Sequence, residues 1–268
     1  MCRKLAFAAT VIAFALPAMA LAAPRQAAPA PAAAPTPTPG KASPEQRRLA
    51  DQEQPLARAA FWNQEVQIDP RDAEAGLKLS AALRALGQYD QAAQAARQVS
   101  LIYPDNVEAL LEAARARIEG GQAFYALDPL RQAISLAPRD WRPLSLQGVA
   151  FEQVELPDDA LAAYDKALTL SPNNPAVLSN QAMFHLARGD AAQAEFLLRR
   201  AVAQPGATVQ IRQNLALALA AEGKLSEAER MVRMDLPPEL ANNNIAYLRA
   251  LSASQAPRAA APTLPSGG

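Results

Sequence analysis

The chain has 268 residues, 26 Lys and Arg against 26 Asp and Glu, and a pI near 6.6; half of its residues are apolar and only 5% aromatic. The balanced charge excludes the broad basic face that nucleic-acid binding needs, and the lone cysteine, Cys2, excludes a disulfide framework and a cysteine-held metal. Alanine carries much of the apolar content; it favours helix and fills little volume, which suits thin, closely stacked helices rather than a thick core.

In chain order, residues 1–22 read as a secretory signal. Arg3 and Lys4 form a basic start, residues 5–16 an apolar run too short to span a bilayer, and Pro17 breaks it before the small-x-small sites Ala18-Met19-Ala20 and Ala20-Leu21-Ala22. Cleavage is expected; the alternative is an uncleaved anchor. Cys2 precedes the apolar run, whereas a lipoprotein's cysteine follows it, so a lipid anchor is not expected. Residues 23–42 are an Ala/Pro-rich linker, expected to be extended and disordered.

Residues 43–72 carry one helix over 43–67, with Ser43 as N-cap, Pro44 in the first turn and Asp69-Pro70 as the stop. Five windows then repeat with a period of 34, at 73–106, 107–140, 141–174, 175–208 and 209–236, the last one shortened. Position 20 is Ala92, Ala126, Ala160, Ala194 and Ala228. Position 15, in the turn, is Gly87, Gly121, Glu155, Gly189 and Gly223, where glycine supplies a positive-φ helix ending. Position 32 is Pro104, Pro138 and Pro172, each a helix stop. The third window, residues 141–174, shows the pattern best, with Gly148, Ala160, Tyr164, Ala167 and Pro172 at positions 8, 20, 24, 27 and 32. Counted backward, the phase puts Trp62 on the aromatic slot but Arg58 and Glu65 on slots 20 and 27, where small residues belong. Residues 43–72 therefore read as a degenerate N-terminal half-repeat that shields the first full unit. After Leu236-Pro237-Pro238, residues 237–254 form a C-terminal capping helix with Leu240, Ile245, Leu248 and Leu251 as its stripe and Tyr247 covering the array end. Residues 255–268 are expected to be a disordered tail.

Small residues at 8, 20 and 27, an aromatic at 24 and proline at 32 make residues 71–254 resemble the tetratricopeptide repeat family. The expected fold is all-α, a right-handed superhelical α-solenoid of helix-turn-helix units. In that family the first helix of each unit lines a concave groove. The resemblance places Lys78, Arg115, Arg142, Leu146, Val149, Ser179, Asn180, Met183, Gln213, Asn214 and Leu217 there as protein-binding residues. The first two windows are charged with mixed sign. The later ones carry amides, hydroxyls and apolar spots, with Asn180 and Asn214 able to hydrogen-bond an extended peptide.

Enzymatic chemistry finds no support. His185 is the only histidine and occupies a packing slot, and Asp158-Asp159 reads as a helix start on the positive dipole end. No phosphate loop, nucleophile elbow or paired metal-ligand spacing occurs, so no catalytic residue, cofactor, metal or small-molecule substrate is expected. A narrower resemblance rests on residues 211–230, IRQNLALALAAEGKLSEAER, and 235–251, DLPPELANNNIAYLRAL. These are similar to the C-terminal end of the TadD-type proteins of the tight adherence (Flp pilus) assembly system. That resemblance implies a non-enzymatic, exported, periplasmic adaptor, peripheral to the outer membrane at most, whose partners are secretin or other pilus components. Two alternatives are an envelope scaffold for another complex, such as polysaccharide export, and an accessory or regulatory domain of an enzyme complex.

Overall fold

The structure is a computed structural model describing residues 40–255, so the signal and most of the linker and tail lie outside the described residues. Among those residues there are thirteen α-helices, one 3-10 turn and no strand. The first helices of the five windows are α3 (Ala73–Ala85), α5 (Val107–Glu119), α7 (Trp141–Gln153), α9 (Pro175–Ala187) and α11 (Val209–Ala221). Each starts because the residue before it caps it: Asp72, Asn106, Asp140, Asn174 and Thr208 accept a hydrogen bond from a backbone N–H two or three residues on. Each ends in a positive-φ residue, Gly87, Gly121, Gly189 and Gly223 in four windows and Glu155 in the third. The next N–H then bonds back to a carbonyl five residues earlier, as Gln88 does to Leu83.

The second helices are α4 (Tyr89–Ile102), α6 (Leu127–Leu136), α8 (Pro157–Leu170), α10 (Ala191–Val202) and α12 (Leu225–Asp235). In the second window a 3-10 turn, Ala123–Ala126, precedes α6. Pro129 accounts for the change: it has no N–H to give the Tyr125 carbonyl, so the regular α-helical bonds begin only after it. All five position-20 alanines are fully buried, so the two helices of each unit meet nearly backbone to backbone. No helix among the described residues is long and apolar enough to cross a membrane.

At the N-terminus the structure replaces the expected single helix by two, α1 (Pro44–Ala50) and α2 (Pro55–Ile68). Ser43 and Gln46 form the capping box of α1. Pro55 has no N–H to extend α1 but is pre-set for a first turn, so a second helix begins there. Residues 43–72, expected to carry one helix, thus carry two, the first of them short. The misplaced Glu65 is buried beside an answering cation. The Arg47 guanidinium bonds Glu65, lies 2.6 Å from Asp72 and 2.8 Å from Glu74, and sits 5.5 Å over the Trp62 ring.

At the other end, α13 (Pro238–Gln255) packs Ala241, Ile245 and Leu248 against α11 and α12, with Leu251 partly buried. Leu240 is exposed, contrary to the expected stripe, and so is Tyr247, which was expected to cover the array end. The buried face runs 241, 245, 248, a helical spacing that leaves residue 240 and residue 247 to one side.

Candidate protein-binding groove

Consecutive first helices, α3, α5, α7, α9 and α11, touch one another, and α13 continues the row beside α11. Consecutive second helices stand farther apart and meet only through long side chains, as Arg199 of α10 does with Glu227 of α12 at 2.9 Å. The inner wall is therefore the close-packed one, and the eleven sequence-predicted residues all stand on its helices.

In the first half of this wall the charges are already paired across repeats. Lys78 Nζ lies 2.5 Å from Asp51. Arg84 bonds Glu119 and lies 3.1 Å from Glu112, which also takes Arg115 at 2.6 Å. Arg142 bridges Glu108 at 2.5 Å and Asp140 at 2.7 Å. Asp140 is pushed up by burial but pulled further down by Arg142, and the net shift is below the usual carboxylate range. Lys78 and Arg142, expected to face a partner, thus hold neighbouring repeats together, and Arg115 is paired along its own helix.

The second half is built differently. Asn180 Nδ2 donates to the Ser145 hydroxyl at 3.1 Å, and Asn214 Nδ2 to the Ser179 hydroxyl at 3.0 Å. This serine–asparagine rung recurs one repeat apart because both members sit at fixed slots, 5 and 6, of successive windows. Ser179 is buried and acts as an acceptor within the wall, not as a partner-facing hydroxyl. Leu146, Val149 and Leu217 are half-buried against the cores behind them, and Met183 is half-buried too. The Asn180 Oδ1 accepts no hydrogen bond among the described residues.

At the C-terminal end, Gln210, Gln213, Asn214 and Leu217 of α11 face Asn244, Tyr247 and Leu248 of α13 across a cleft of roughly 170 Å³. Asn244 and Tyr247 were missed by reading the last helix as a cap alone. The available signal was phase: Tyr247 falls off the 241/245/248 spacing, so it cannot be core. His185 is half-buried, its Nδ1 3.4 Å from Asp190 and its ring edge-on to Phe184, as a packing histidine would be. No cluster of His, Cys, Asp or Glu among the described residues could hold a metal ion.

Residues 155–207 match the family model described as tetratricopeptide repeat. A search of the curated proteins gives no match. Among solved structures, the chain is similar to a thermophilic TPR protein of Thermus thermophilus, at 25% identity and a TM-score of 0.57, covering 68% of this chain and 98% of that one. It is also similar to the APC/C hetero-tetramer Cut9–Hcn1, at 15% identity and a TM-score of 0.59, covering 76% of this chain and 45% of that one. A third similarity is to MamA from Desulfovibrio magneticus, at 20% identity and a TM-score of 0.49, covering 59% of this chain and 92% of that one.

Proposed function

We propose that this chain, whose residues 155–207 match the tetratricopeptide-repeat family model and whose all-α right-handed solenoid fold is similar to that of solved repeat proteins, is a protein-interaction scaffold that holds an extended segment of a partner protein along the second half of its concave wall. The observation that carries this reading is the contrast between the two halves. The charges of the first half are spent on each other, whereas the second half, through Asn180, Met183, Gln213, Leu217 and Tyr247, offers amides and half-buried apolar groups without any ion pair to break. Amides satisfy an extended backbone and the apolar spots take alternate side chains.

The process served is assembly of a Flp/Tad-type pilus or secretion system, with this chain as an exported periplasmic adaptor and secretin or another pilus component as partner. The support is the sequence of residues 211–230 and 235–251, together with the signal-like residues 1–22. A photo-crosslinking residue placed at Met183 or Leu217 should capture such a component in the cell envelope, while one at exposed Phe196 on α10 should not. Capture at Phe196 alone would remove the groove reading; capture of polysaccharide-export proteins at Met183 would remove the pilus reading. N-terminal sequencing of the mature protein should find a start after Ala20 or Ala22, and an intact Met1 would refute export by cleavage.

A further inference from the structure

Position 20 is alanine in all five windows, yet the N-terminal unit carries Arg58 in that slot. An arginine there would clash with a full first helix. The unit avoids the clash because α1 ends at Ala50 and the chain turns away before Pro55. A cavity of roughly 200 Å³ opens instead, lined by Asp51, Arg58, Trp62, Lys78, Ala81 and Ala82. A water needs about 10–15 Å³ by the same measure, so the space admits a side-chain head group.

The lining is rich in donors that lack acceptors. Trp62 is 1% exposed, and its indole Nε1–H has no hydrogen-bond partner among the described residues. The Arg58 Nε is buried and equally without an acceptor, and its guanidinium makes no ion pair among the described residues. Lys78 adds an ammonium held by a single carboxylate, Asp51. Buried donors are normally paired, and two residues that line one cavity each carry an unpaired one, which calls for an acceptor. A carboxylate fits best: it takes a guanidinium through two oxygens and satisfies an indole N–H alongside.

We infer that Arg58, Trp62 and Lys78 form a binding site for a carboxylate of the partner segment, at the N-terminal end of the groove. The site deepens the groove reading and rests on it for the source of the carboxylate, which is either an acidic side chain or a chain terminus. On binding, the ligand shares Lys78 with Asp51 and gives Arg58 an ionic partner, which it lacks among the described residues.

The chain has two tryptophans, so the ¹⁵N-labelled full-length protein shows two indole N–H resonances, assigned by Trp141→Phe. At constant ionic strength, acetate should move the Trp62 resonance saturably, and acetamide should not. Two capped arms separate the sources: an amidated alanine peptide with one internal glutamate, and an alanine peptide ending in a free carboxylate. Arg58→Gln should weaken the response about tenfold while leaving the Trp141 resonance and the melting temperature in place. A Trp62 resonance unmoved by every carboxylate, or moved equally by acetamide or in Arg58→Gln, would overturn the site. Acetate needs no partner, so failure of this site stays distinct from failure of the groove reading, which the crosslinks at Met183 and Leu217 decide.

Discussion

Gly148 and Tyr164 behave as one unit. A Cβ on Gly148 would sit 2.5 Å from Tyr164 Cε1, so the aromatic at slot 24 is admitted only because slot 8 has no side chain. The other windows put Ala96, Leu130, Leu198 or Val232 at slot 24 and tolerate Ser80, Ala114, Ala182 or Ala216 at slot 8. The same exchange recurs where Val99 replaces the small residue of slot 27: Gly76 opposite it makes room for its methyl. The Tyr164 phenol is buried, and burial together with the nearby Glu152 charge pushes its pKa far up. Gly148→Ala should therefore destabilise the fold by about 1–3 kcal/mol, measured by denaturant unfolding. Adding Tyr164→Leu should recover most of the loss in a double-mutant cycle. Additive losses would mean the two residues do not share the space. The sequence showed both residues, and showed them as the best matches to the repeat. It did not show that one is the condition for the other.

The elements are joined by polar rungs as well as alanine seams. Because Asn180 and Asn214 donate to Ser145 and Ser179 of the preceding repeat, Asn180→Ala with Asn214→Ala should lower stability by about 1 kcal/mol per site, as well as weaken partner binding. From sequence these amides are expected to hydrogen-bond an extended peptide, and an unchanged melting temperature would leave them that role alone. Acid tests the ionic joints. Burial raises Asp72, but bonds from Arg47, Lys41 and the Ala75 N–H outweigh it and hold the carboxyl well below its usual range. Glu195 is likewise lowered, burial being outweighed by Lys224 and Arg199. A carboxylate depressed in the fold contributes stability above its unfolded pKa of about 4, and the contribution is lost as pH falls through the folded value. The melting temperature should thus drop on acidification below about pH 4, and Asp72→Asn should flatten that drop. Glu152 acts in the opposite sense: burial raises its pKa, so its protonation in acid relieves a cost.

Among the described residues each unit contacts only its neighbours, so stability is approximately a sum of local terms along one axis. The ends are closed by different means: the Arg47 ionic cluster at one, and the apolar face of α13 at the other. Truncation after Asp235 uncovers the core that Ala241, Ile245 and Leu248 seal. Hydrogen exchange should then quicken in α11 and α12 while α3 to α8 keep their protection. A uniform loss along the chain would show one cooperative block instead of a linear array.

The sequence by itself determined the all-α repeat architecture, the 34-residue period, the turns and the small-residue seams. Those features are local or recur at fixed spacing, and both survive in one dimension. It also carried the capping residues Asp72, Asn106, Asp140, Asn174 and Thr208, a period read only once the helices were in place. Only the tertiary structure decided which polar groups of the concave wall are free. Lys78 and Arg142 look available as residues, but their partners Asp51 and Glu108 come from the preceding units and become neighbours only when helices stack, whereas Arg115 meets Glu112 one turn away on its own helix. The reverse holds for Arg58, which reads as a misfit in the alignment of windows and stands in the fold as a cation without a counter-ion among the described residues. Pairing is a property of distance in space, and the period of a sequence fixes which slots face one wall without fixing which charges on that wall have already met.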